Sequence, residues 1–131
     1  MRLYRRLLLA TTVLAFAVIA LGAYVRLSDA GLGCPDWPGC YGHWLGVPDE
    51  IHEQLAAQQA FPERPVQTAK AWKEMVHRYF AGTLGLLILA ICLLAWRAEF
   101  RNRQTPTLPT LLLGIVGLQA ALGMWTVTLL L

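Results

Sequence analysis

The sequence predicts an all-α membrane protein with three transmembrane helices and one long outward loop. Three uncharged blocks carry that prediction: Leu7 to Val25, Tyr79 to Trp96, and Leu108 to Leu131. Each comes close to or exceeds the roughly 20 apolar residues needed to cross a bilayer. Composition agrees, because 56% of the 131 residues are hydrophobic and only 15% are charged, too apolar a balance for an ordinary soluble domain. The third observation is where the basic residues fall. Arg2, Arg5 and Arg6 precede the first block, and Arg97, Arg101 and Arg103 follow the second against the single acid Glu99. The segment from Arg26 to Arg78 instead holds five basic and seven acidic residues. The excess of positive charge on cytoplasmic ends puts the N-terminus and the Arg97–Arg103 turn inside and the Arg26–Arg78 segment outside. The net charge of +3 is therefore a topology signal, and no nucleic-acid-binding patch is visible.

The first span is expected over residues 7–25. Its basic start and the small residues Ala20, Gly22 and Ala23 also suit a signal peptide. The apolar run is longer than the about 7–15 residues of such a segment, so an uncleaved helix is the expectation. Tyr24 and Arg26 suit its interfacial end. A loop then runs over residues 26–68, long for a connection and therefore a candidate functional segment. Glycines and prolines punctuate its first part, "GLGCPDWPGCYG" (Gly31–Gly42), as turns. Residues 48–60 read as a short surface helix, with proline and acids at its start. Thr68 is the expected N-cap of a helix over residues 69–96, whose first turns stand in the outer interface before the lipid. Pro109 suits the first turn of a third span over residues 109–131. That span stops at "VTLLL" without a polar anchor, which suggests a truncated piece of a longer protein.

Chemistry-bearing residues are few. Glu74 and His77 lie three apart and share a helix face. Ionisable groups at a membrane span are costly and are functional candidates by default; the alternative is a polar anchor at the interface. Imidazole is a common axial ligand of haem iron. His43 and His52 fall in the outward loop and are expected to be solvated. Cys34 and Cys40 share that loop, where an oxidising compartment favours a disulfide. Cys92 lies within the second block as a small buried hydrophobe. No C-x-x-C-H motif is present, the Cys34–Cys40 spacing is not the redox C-x-x-C, and zinc-ligand spacings do not fit Cys34, Cys40 and His43. Arg26 can pair with Asp29, Asp36 or a haem propionate. Small residues four apart (Ala81 and Gly85, Gly117 and Ala121), with Gly82 and Gly114, permit close approach of a helix or of a flat cofactor.

Three stretches carry a resemblance. "GAYVRLSDAGLGCPDWPGCYG" (Gly22–Gly42), "WKEMVHRYFAGTLG" (Trp72–Gly85) and "LQAALGMWTV" (Leu118–Val127) together resemble haem A synthase, especially the bacterial members. The resemblance implies the first three helices of a four-helix half within an eight-helix protein of the bacterial inner membrane. It implies that haem O is the substrate and that its methyl group becomes the formyl group of haem A, with water supplying the oxygen. His77 then matches a haem-ligating histidine, and Glu74 matches an acidic residue beside the substrate, acting as acid/base or charge stabiliser. Cys34 and Cys40 match an outer-loop pair that can form a disulfide. Haem O synthase and cytochrome oxidase assembly factors become expected partners beside the lipid bilayer. The partner histidine on a fourth helix, and a second half with a haem b, lie beyond the sequence. Two other readings remain: a membrane thiol–disulfide or quinone oxidoreductase built on Cys34 and Cys40, and a non-catalytic membrane subunit.

Overall fold

The computed structural model describes residues 2–97 and 105–129. Among these it is all-α, with three long apolar helices and one short one. The helices are α1 (Arg2–Leu27), α2 (Ile51–Ala60), α3 (Thr68–Trp96) and α4 (Thr107–Thr128). α1, α3 and α4 are each long and apolar enough to cross a membrane. Arg101, Arg103 and Glu99, on which part of the expected topology rests, lie outside the described residues.

α3 is the central element, with α1 packed on one side and α4 on another. The α3–α4 seam uses a small residue, since a Cβ placed on Gly85 would meet Val116 Cγ1 at 3.9 Å. Such ordinary van der Waals packing is what small residues contribute between helices in lipid, where no hydrophobic driving force exists. At the end of the seam away from the loop, Trp96 Nε1 donates to Thr110 Oγ1 at 3.0 Å. Most of α4 is uncovered: among the described residues only Pro109 and Val127 of this helix are buried. Its exposed leucines and Ile115 suit lipid or further helices, as expected for an apolar helix of a membrane bundle.

The loop between α1 and α3 is a folded cap. Its core joins Cys34, Cys40, Tyr41, Val47 and Ala57 to Ala71 and Met75 on the first turns of α3. Tyr41 meets Phe61 edge to face at 5.7 Å between centroids, and its hydroxyl donates to the Pro65 carbonyl at 3.2 Å. α2 begins three residues after Pro48, with Glu50 as its N-cap. Glu53 Oε2 accepts the backbone N–H of Asp49 and of Glu50, closing orphan donors at the helix start. The N-cap of α3 is Gln67 rather than the expected Thr68. The Thr68 hydroxyl is engaged elsewhere, donating to the Pro48 carbonyl at 3.0 Å, and so ties α3 to the cap.

Candidate functional site

The site forms where the cap meets the first turns of α3. Cys34 and Cys40 are joined in a disulfide, and both are fully buried. Closing so short a ring stabilises the fold by about 2 kcal/mol through the entropy it removes from the unfolded chain. The ring is also closed by polar contacts. Asp36 Oδ1 accepts the Tyr41 N–H at 2.6 Å, and Oδ2 accepts the Gly42 N–H at 2.8 Å. Cys40 and His43 exchange backbone hydrogen bonds at 2.9 and 3.0 Å. Tyr41 (φ 51°) and Gly42 (φ 81°) take left-handed backbone there. The Asp36 acceptors hold that conformation, which a tyrosine otherwise disfavours.

The ring is seated directly on α3. A Cβ added to Gly33 would lie 2.7 to 2.8 Å from the Lys70 and Ala71 backbone, so only glycine permits this approach. The Cys34 N–H donates to Glu74 Oε2 at 3.0 Å. The other carboxylate oxygen, Oε1, pairs with Arg78 Nη2 one turn along α3. Glu74 is only 5% exposed, yet both of its oxygens are partnered. A buried charge persists only when paired and hydrogen-bonded in this way.

His77 stands half-buried on α3, between Glu74 and Arg78 in sequence, against α1. A Cβ on Gly22 would approach His77 Nε2 to 3.1 Å, so glycine at this point of α1 makes room for the ring. Among the described residues no hydrogen bond reaches either ring nitrogen. No group of three or more His, Cys, Asp or Glu able to chelate a metal occurs among them either. A porphyrin supplies four equatorial nitrogens itself, so an axial imidazole needs no such cluster. Among the described residues both ring nitrogens are without partners, as the chemistry of an iron ligand requires, and Nε2 is the ring atom turned toward Gly22 of α1. A shallow apolar groove between α1 and α3, lined by Leu21, Tyr24, Val25, Trp72, Lys73 and Val76, opens beside the first turns of α3.

The other sequence candidates are dispersed. Arg26, at the end of α1, is exposed and makes no side-chain hydrogen bond or ion pair among the described residues. The acids expected to meet it are engaged elsewhere: Asp36 within the ring, and Asp29 with Lys70 Nζ at 2.8 Å. His52 is solvent-exposed beside Glu50, at 3.2 Å. Arg78 and Tyr79 hold the cap on α3 and are missed by sequence reasoning, whereas Asp36, expected as a possible partner of Arg26, serves the ring instead. Arg78 has a legible signal, the i,i+4 spacing from Glu74. Tyr79, whose hydroxyl accepts the Gly46 N–H at 2.7 Å, has none.

The cap's surface carboxylates give a pH dependence. The hydrogen bond from Lys70 holds Asp29 below the usual carboxylate range, and the Glu50 and Asp49 backbone N–H groups do the same for Glu53. Groups depressed in the folded state contribute stability that is present above their unfolded value, about 4, and lost as pH falls through the lowered folded values. Amide protection across residues 29–60, taken relative to the intrinsic exchange rate at each pH, is therefore expected to hold down to about pH 4 and to fall below it. The double variant Asp29→Asn, Glu53→Gln should flatten that acid limb.

The comparisons agree with the motifs. Residues 5–131 match the cytochrome oxidase assembly protein family. The haem A synthase of Shewanella oneidensis is 52% identical over 123 residues, covering 94% of this chain and 36% of that protein. That of Geobacillus thermodenitrificans is 32% identical over 114 residues, covering 86% and 30% respectively. That of Mesorhizobium japonicum is 29% identical over 137 residues, covering 95% and 37%. The chain thus spans about a third of the length of these curated relatives. No solved structure matches it. With nearly its whole length matched, the chain belongs to the cytochrome oxidase assembly protein family.

Proposed function

We propose that the chain forms the first three spans and the outer cap of a haem A synthase, in which haem O is oxidised at a methyl group to the formyl group of haem A. The observation that carries this reading is His77, half-buried, with both ring nitrogens unpartnered, at the end of α3 that holds the cap. In this reading His77 would hold the iron of the substrate haem. The buried carboxylate of Glu74, on the adjoining turn, serves as acid/base or stabilises positive charge developing at the reacting carbon. Exposed Arg26 at the mouth of α1 is free to meet a propionate. The Cys34–Cys40 ring covers the site on the outer face of the inner membrane, with the N-terminus in the cytoplasm. Further spans would hold a second ligand to that iron and a haem b. Haem O synthase delivers the substrate, and cytochrome oxidase assembly takes the product.

Full burial of Cys34 and Cys40 weighs against a thiol–disulfide exchange enzyme, whose sulfur must be reached by an attacking thiolate. The deciding experiment is His77→Ala in the complete gene product, with haems extracted from membranes. Haem A is expected to fall to background while haem O accumulates, and the haem absorption spectrum should change. Unaltered haem A content would overturn the proposal.

A further inference from the structure

We infer that Arg78 is the positioning residue of this site: its guanidinium fork binds the Cys34–Cys40 ring and the Glu74 carboxylate into a single unit on α3. The inference rests on the proposed haem A synthase reading, to which it adds a residue, but its contacts are independent of any haem. Nη2 pairs with Glu74 Oε1. Nη1 lies within hydrogen-bond reach of three loop carbonyls, those of Asp36 (2.9 Å), Pro38 (3.3 Å) and Gly39. These carbonyls belong to the ring between the two cysteines, and the Cys34 N–H at its start donates to Glu74 Oε2. A circuit therefore runs from Cys34 through Glu74 and Arg78 to residue 39, next to Cys40. Both arms of the disulfide ring are held by one ion pair.

The chemistry of the fork explains why arginine stands here. The Arg78 side chain is 13% exposed, so its charge and its donors must be matched inside the protein. A carboxylate matches the charge on one side, and a cluster of carbonyls satisfies the donors on the other. The planar guanidinium presents both sets of donors at once in fixed directions, whereas a lysine ammonium is a single point on a flexible stem. Lysine at position 78 retains the charge opposite Glu74 and loses simultaneous contact with the ring carbonyls. Asp36 completes the arrangement, because its carboxylate accepts from the Tyr41 and Gly42 N–H groups within the ring while its carbonyl accepts from Arg78.

The test uses Arg78→Lys and Arg78→Gln in the complete gene product, in native membranes. Three quantities are read: alkylation of Cys34 and Cys40 by a maleimide after a graded dose of phosphine reductant, mapped by peptide; the haem A to haem O ratio; and the haem absorption spectrum. Arg78→Lys is expected to accumulate normally and keep the spectrum set by His77. Its disulfide should be trapped about tenfold faster or more, as follows from losing charge-assisted hydrogen bonds, and its haem A fraction should fall. Arg78→Gln should be at least as reactive. Should the glutamine variant fail to accumulate, the lysine variant decides alone. Trapping of Arg78→Lys at the wild-type rate overturns the inference, since charge without the fork would then suffice. Fast trapping together with an unchanged haem A fraction overturns it too, since the clamp would then hold the loop without serving the site. Failure of the parent reading shows separately, as haem A that survives His77→Ala.

Discussion

Gly33→Ala is expected to lift the disulfide cap off α3, although the substitution adds a single methyl group and removes no polar atom. The new Cβ would lie 2.7 Å from Lys70 C and 2.8 Å from Lys70 O and Ala71 N, closer than carbon tolerates. Its neighbours are helix backbone, which cannot rotate away as a side chain can. Overpacking usually costs about 1–3 kcal/mol. Here the strain falls on the residue preceding Cys34, so relief by displacement of the loop breaks the Cys34 N–H bond to Glu74 Oε2. An ion pair left with one of its two hydrogen-bonded anchors then faces water. The expected result is faster alkylation of Cys34 and Cys40 under mild reduction, with a lower melting temperature in detergent. Gly31→Ala is the internal control, because a Cβ there meets nothing within 4 Å. Equal behaviour of the two variants would refute the close approach.

The fold class is legible in the sequence because a bilayer imposes a coarse demand. Uncharged blocks of about span length leave little else for the backbone to do in lipid than form helices. The Cys34–Cys40 pairing is likewise legible, from topology and a shared loop. The reach of Glu74 is not. Spacing puts Glu74 and His77 on one helix face, yet the contacts of Glu74 run to Arg78 and to the backbone of residue 34, forty positions away. Backbone donors and acceptors carry no residue-specific signal. For that reason neither the Cys34 N–H nor the carbonyls of residues 36, 38 and 39 are recoverable from side-chain chemistry. Arg26 illustrates the opposite case. Residue type alone allows a pair with Asp29 or Asp36, but Lys70 on α3 and the Tyr41 and Gly42 N–H groups already claim those carboxylates. Pairing is decided by which element the chain lays alongside, and composition does not reach that far.

The second large effect is expected at Glu74, where two roles can be separated by substitution. Glu74→Ala leaves Arg78 without its counter-ion in a buried position, and breaking such a pair costs about 3–5 kcal/mol. It also orphans the Cys34 N–H, for roughly 1–3 kcal/mol more. The two costs share one network and will not add fully. Loss of the folded cap, and low accumulation of the protein, is the expected outcome. Glu74→Gln is the informative change. Its amide oxygen still accepts from Cys34, but the charge is gone and an NH2 faces Arg78, so the cap should loosen less than in the alanine variant. Haem A fraction is then compared at matched loop reactivity across Glu74→Gln, Arg78→Lys and Gly33→Ala. If Glu74 acts on the substrate as proposed, Glu74→Gln falls well below the line set by the other two, because it removes the charge as well as the anchor. If all three lie on one line, the carboxylate serves only to hold the loop, and the acid/base assignment for Glu74 is wrong. The role of His77 stands or falls separately, since the haem spectrum reports its ligation independently of the cap.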